Sequence, residues 1–176
     1  KILWGYKRSV SFLTTLQRAS LPVIYKDRVL VGLADGNLVA LSLDEGVLLY
    51  ESKLTTASKF VDVDNAAVVL NDKLYIGAVS APVSILDPNT GKLIKRGDFN
   101  VSRAPYIDPI FKGEQLLFGT PAGELVLTDK NLNVITKSKI SSSLISSMAS
   151  YKQGLAVSTT GGEVLFVDLK TLKVTE

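Results

Sequence analysis

The sequence predicts an all-β protein: a β-propeller of four-stranded antiparallel blades, with about four blades in the chain. Three observations predict it. Four segments of roughly 40 residues repeat one order of short apolar runs and turn signals. Glycines fall at the turns, and no stretch has the apolar spacing of an amphipathic helix of three turns or more. The repeats run approximately over 20–54, 65–99, 108–140 and 147–176, within a single half-propeller domain spanning 1–176. Residues 1–10 read as the outer strand of a preceding or partner blade.

Each unit opens with an apolar run, Leu21-Pro22-Val23-Ile24-Tyr25 in the first and Ala67-Val68-Val69 in the second, with Pro109-Ile110-Phe111 and Met148-Ala149-Ser150-Tyr151 after them. A polar turn follows, such as Lys26-Asp27, Asn71-Asp72 or Lys112-Gly113. The second run is Arg28-Val29-Leu30-Val31-Gly32 and its counterparts ending at Gly77, Gly119 and Ser158. Turns such as Ala34-Asp35-Gly36-Asn37 and Pro121-Ala122-Gly123-Glu124 come next, where glycine supplies the positive φ that a tight hairpin requires. A third run then enters a loop of the type Asp87-Pro88-Asn89-Thr90-Gly91-Lys92, and a fourth leads to the next unit. Four short strands at this period describe a propeller blade.

Composition fits a compact β protein: 46% hydrophobic, 21% charged, 13 Gly. The apolar runs are only a few residues, against the roughly 20 that a membrane-spanning helix needs. The sequence begins inside a motif, at Lys1-Ile2-Leu3-Trp4, so any leader is expected upstream. With 0 Cys and 0 His, the chain has no thiol chemistry, no disulfide and none of the commonest general bases and metal ligands. No catalytic residue, cofactor-binding residue or metal ligand is therefore assigned, and no cofactor is expected. A calcium site on Asp62, Asp64 and Asn65 would lack the rest of a twelve-residue loop and its terminal Glu. The formal charge of +3 is spread over turns and outer strands, without the basic stripe and interleaved aromatics of a nucleic-acid binder.

The third-to-fourth-strand loops carry a family resemblance. Ala40-Leu41-Ser42-Leu43-Asp44-Glu45-Gly46 and Ile85-Leu86-Asp87-Pro88-Asn89-Thr90-Gly91 are similar to the A-L-D-x-x-T-G-x-x-x-W repeat of pyrroloquinoline-quinone-type propellers. In that repeat the Asp and Thr close the turn, the Gly takes the unusual backbone angle and the Trp packs between blades. Trp4 stands as the signature aromatic of a preceding unit; Tyr50 and Lys95 occupy the later Trp positions. The third loop, Asp129-Lys130-Asn131-Leu132-Asn133, is one residue short.

Such repeats occur in quinone-dependent dehydrogenases and in the non-enzymatic BamB family of the outer-membrane β-barrel assembly machinery. The inter-blade connectors favour the latter. Leu16-Gln17-Arg18-Ala19-Ser20-Leu21-Pro22 resembles one BamB connector, and Ser58-Lys59-Phe60-Val61-Asp62-Val63-Asp64 resembles the next. In that family the two neighbouring loops contact a POTRA domain of the barrel protein BamA. The resemblance thus implies Arg18, Leu16, Asp62 and Asp64 as partner-binding residues, a non-catalytic scaffold function, and a periplasmic, outer-membrane-associated location through a lipid anchor outside this chain. Each named residue also has a local reading, because an Asp before a strand caps turns and an Arg pairs with nearby carboxylates. A generic periplasmic or extracellular ligand-binding propeller and a fragment of a quinone-dependent dehydrogenase are the alternatives.

BamB propellers have eight blades, whereas this chain carries four units. Lys1-Ile2-Leu3-Trp4 and Lys173-Val174-Thr175-Glu176 both align with Lys92-Leu93-Ile94-Lys95. Two copies exchanging N-terminal strands would close an eight-bladed ring as a homodimer with two-fold symmetry. The competing expectation is a piece of a longer chain whose other blades lie elsewhere.

Overall fold

The computed structural model describes residues 1–9, 20–102 and 114–175. Among the described residues there are four sheets, and every strand pairing is antiparallel, in line with the sequence. Strands β1 (Val23–Tyr25), β2 (Arg28–Gly32), β3 (Asn37–Ser42) and β4 (Leu48–Lys53) form the first in sequential order. The second is β5 (Val68–Leu70), β6 (Lys73–Ala78), β7 (Ala81–Leu86) and β8 (Leu93–Arg96). The third holds β9 (Gln115–Gly119), β10 (Glu124–Asp129) and β11 (Val134–Lys139), and the fourth β12 (Ile145–Tyr151), β13 (Gly154–Thr159) and β14 (Val164–Asp168). The opening strand read at Pro109-Ile110-Phe111 lies outside the described residues. In the last repeat the outer strand is represented by one bridge, Val174 to Val167.

The chain forms two compact units, Lys1–Asn100 and Val101–Glu176, each holding two repeats. In the first, Leu30, Leu38 and Ala40 of one sheet share a core with Leu74, Ile76 and Leu86 of the other. In the second, Leu117, Leu125 and Leu127 share a core with Ile145, Leu155 and Val157. Each fully buried aliphatic side chain contributes about 1.5–3 kcal/mol. The middle strands are buried on both faces, as in the fully buried run Asn37–Leu41, so they read as continuous apolar runs. Outer strands β4, β8 and β11 are largely exposed. Among the described residues no helix is long and apolar enough to cross a membrane.

The loop signature is realised in atomic detail. Asp87 accepts from the Asn89 N–H and from the Thr90 hydroxyl, and Asp168 accepts from the Lys170 and Thr171 N–H groups. These bonds favour the carboxylate, so both Asp groups titrate below the usual range; the leading causes are the Asn89 backbone N–H for Asp87 and the Thr171 hydroxyl for Asp168. Gly46 and Gly91 take the left-handed φ of 68° and 72°, and an aromatic ring lies on each. Trp4 covers Gly46 and donates its indole N–H to the Leu43 carbonyl at 2.8 Å. Tyr50 covers Gly91 and donates its hydroxyl to the Pro88 carbonyl at 2.9 Å. Tyr50 therefore does the work of the signature Trp.

The last two repeats solve the same corner differently. Register places Lys95 (opposite Ile85) and Thr136 (opposite Leu127) at the position that Tyr50 holds opposite Ala40. Each of these non-aromatic residues is followed, in the next repeat, by a turn whose left-handed residue is a leucine: Leu132 at φ 60° and Leu172 at φ 53°, exposed by only 3% and 1%. A buried leucine takes the place of the ring-and-glycine pair.

Candidate partner-binding face

The connector from β4 to β5 is anchored at both ends and exposed in the middle. At its start the Leu54 N–H donates to the Gly36 carbonyl, and buried Thr55 accepts from the Ala57 N–H through Oγ1, which also bonds Ser80 Oγ at 3.2 Å. At its far end the Val63 N–H donates to the Leu33 carbonyl at 3.0 Å, while the Val79 N–H donates to the Asp62 carbonyl at 2.9 Å. The connector is thus hydrogen-bonded to both sheets of the first unit. Gly32 and Val63 meet so closely that a Cβ on the glycine would stand 2.9 Å from Val63 Cβ.

Between these anchors, residues 56–60 are exposed. Phe60 stands out among them, 54% exposed and left-handed at φ 52°. A bulky side chain in that region is an outlier that costs on the order of 1–2 kcal/mol and persists only where neighbours hold it. Fixed between Thr55 and Val61–Val63, Phe60 meets that condition. Phe60 lies within the connector motif, but the motif gives it no role. Its signal is conformational, and no residue pattern announces it.

The four residues implied by resemblance fall in different places. Arg18 and Leu16 lie outside the described residues. Asp62 is fully buried, pinched where its backbone joins the neighbouring sheet. Asp64 is half-buried. Buried Asn65 accepts from the Ser20 hydroxyl through its carbonyl, tying the start of the first repeat to this connector. Among the described residues, no group of three or more Asp or Glu stands close enough to hold a metal ion.

The fold and the loop signature agree with a match to known proteins. Residues 1–132 match the family model described as outer membrane protein assembly factor BamB. The chain belongs to the BamB family. BamB of Legionella pneumophila (strain Paris) is 34% identical over 87 residues, 46% of this chain and 23% of that protein. BamB of Kangiella koreensis is 29% identical over 111 residues, 60% of this chain and 28% of that protein. The matched stretch is therefore about a quarter of the length of these BamB relatives.

Among solved structures, BamB from Moraxella catarrhalis superposes with a TM-score of 0.68 at 16% identity, covering 85% of this chain and 45% of that one. The computationally designed Ika4 protein gives 0.66 at 14%, covering 94% of this chain and 96% of that one. A quinohemoprotein alcohol dehydrogenase from Pseudomonas putida HK5 gives 0.68 at 14%, covering 88% and 33%. At these identities the likeness is one of fold, and fold is shared by BamB and dehydrogenase alike.

Proposed function

We propose that this chain is a non-catalytic scaffold that binds a periplasmic domain of the outer-membrane β-barrel assembly machinery, a POTRA domain of a BamA-like protein, and so assists outer-membrane protein assembly. The observation that carries this reading is the BamB family match over residues 1–132. The connector supports it, because an exposed loop held rigid at both ends presents contacts without paying ordering entropy on binding. Arg18, Leu16 and Asp64 are the contact residues of this reading, joined by Phe60, which is exposed on the same connector as Asp64; Asp62, with its side chain buried, holds the connector through its backbone carbonyl. The protein works in the periplasm at the outer membrane.

Closure of an eight-bladed ring by two copies is the associated assembly. Trp4 and Arg8 hold residues 1–9 against the first sheet, through the Leu43 carbonyl at 2.8 Å and the Glu51 carboxylate at 2.7 Å. Light scattering across a dilution series tests this closure; a species at twice the 19.0 kDa chain mass is expected, and a monomer throughout rejects it.

The functional test is titration of a purified POTRA domain against the chain and its Arg18→Glu and Asp64→Lys variants. Weakened binding at unchanged thermal stability is expected. Loss of binding and stability together would make those residues structural, and no binding by the unmodified chain would remove the proposal. The dehydrogenase alternative predicts an absorbance change on adding quinone and calcium.

A further inference from the structure

A groove of about 320 Å³ lies between β4 of the first sheet and the β7–β8 turn of the second, walled by Glu51, Ser52, Lys53, Lys92, Leu93 and Arg96 among others. Its hydrogen-bonding groups divide into engaged and free. The Glu51 carboxylate takes a bidentate bond from Arg8, at 2.7 and 3.0 Å, and the Arg8 hydrogen bond is the leading cause that holds Glu51 below its usual titration range. The Ser52 hydroxyl donates to the Gly91 carbonyl at 2.7 Å. Lys53, Lys92 and Arg96 have no ion-pair partner among the described residues. The groove thus has three available cations and one acid that is already satisfied.

The two strands beside the groove also share an apolar feature. β4 opens with Leu48-Leu49 and β8 with Leu93-Ile94, all between 42% and 54% exposed. In each ladder the register shifts at this point, so Leu49 and Ile94 are the bulged residues without a cross-strand partner. Leu93 lines the groove beside Lys92, and Leu48, Leu49 and Ile94 stand half-exposed on the same two strands. Bulges and lysines at a sheet edge resist the addition of a further strand, so an extended peptide is the poorer occupant.

We propose that this groove binds the phosphate of an anionic phospholipid at a membrane surface. Lys53, Lys92 and Arg96 hold the headgroup, and Leu48-Leu49 with Leu93-Ile94 enter the interfacial layer. The site is independent of the connector and of the scaffold reading.

The test is co-sedimentation of the full chain with vesicles of phosphatidylcholine, alone or with one third phosphatidylglycerol. Pelleting only with the anionic vesicles, weakening as salt rises, is expected. Near an anionic surface each cation changes partitioning about fivefold, so Lys53→Glu with Lys92→Glu and Arg96→Glu should lower it by about a hundredfold or more. Leu49→Asn with Ile94→Asn should lower it by about tenfold at constant charge. Thermal stability of both variants is measured alongside, and the exposed sites predict no change. Wild-type partitioning by both folded variants overturns the proposal. So does displacement by millimolar inorganic phosphate alone, which marks a free-anion site, or binding of an acidic peptide with no binding of vesicles, which marks a protein surface.

Discussion

Tyr50 lies so close over Gly91 that a Cβ on the glycine would stand 2.6 Å from the ring Cε2, and the same hypothetical Cβ on Gly46 would stand 2.6 Å from Trp4 Cδ2. Glycine is thus required twice over, by its φ and by the ring above it. Gly91→Ala is expected to destabilise the fold by about 2–4 kcal/mol, combining overpacking with left-handed strain. Leu172→Gly, where no ring arrives, should instead lose a buried side chain and cost about 2–4 kcal/mol. Urea denaturation measures both; a Gly91→Ala change within about 0.5 kcal/mol would falsify the ring-over-glycine account.

Tyr50 also gives the fold an alkaline limit. Burial pushes its hydroxyl up to about 12, because the phenolate would lose hydration beneath the Asp87-Pro88 turn. The unfolded chain titrates near 10, so the folded state binds the proton more tightly. This contribution to stability is complete below about pH 10 and is lost as pH rises towards 12. Tyr50→Phe removes the titration together with the Pro88 hydrogen bond. It should therefore be less stable at neutral pH yet decline less steeply with pH in the alkaline range. Parallel slopes for the two proteins would show that another group sets the limit.

Trp4 is the single tryptophan of the sequence, so its fluorescence reports one event, the docking of residues 1–9 on the Gly46 turn. Gly46→Ala is expected to lift the indole from the turn, shifting emission to the red and raising quenching by acrylamide. Unchanged emission in that variant would mean that the indole finds the same environment without the glycine contact.

The fold was legible because its cause is local and repeated: turn chemistry and short apolar runs recur four times, so each repeat corroborates the others. Gly46, Gly91 and Trp4 were readable from the loop signature for the same reason. The exchange of ring-and-glycine for Leu132 and Leu172 was not, since leucine carries no sequence mark of a left-handed backbone. Asp62 shows the complementary difficulty. Its motif resembles a partner-facing loop, yet its side chain is buried where the peptide that follows it is hydrogen-bonded on both edges, to Leu33 and to Val79. The groove cations carry no sequence mark either, for Lys53, Lys92 and Arg96 come from two repeats and only packing of the sheets brings them together.

Phe60 separates a binding role from a structural one. A residue that packs for stability loses stability when truncated, whereas one held in strain for contact gains or keeps it. Phe60→Asn keeps a residue that tolerates left-handed geometry and removes the exposed ring. Thermal stability is expected to hold or rise, by up to about 1 kcal/mol of released strain. Affinity for the partner should fall about tenfold or more, the behaviour of an aromatic contact residue. Calorimetric melting and partner titration on the same preparation give both quantities. A lowered melting temperature with intact affinity would reverse the assignment and make the exposed ring a packing element of the connector.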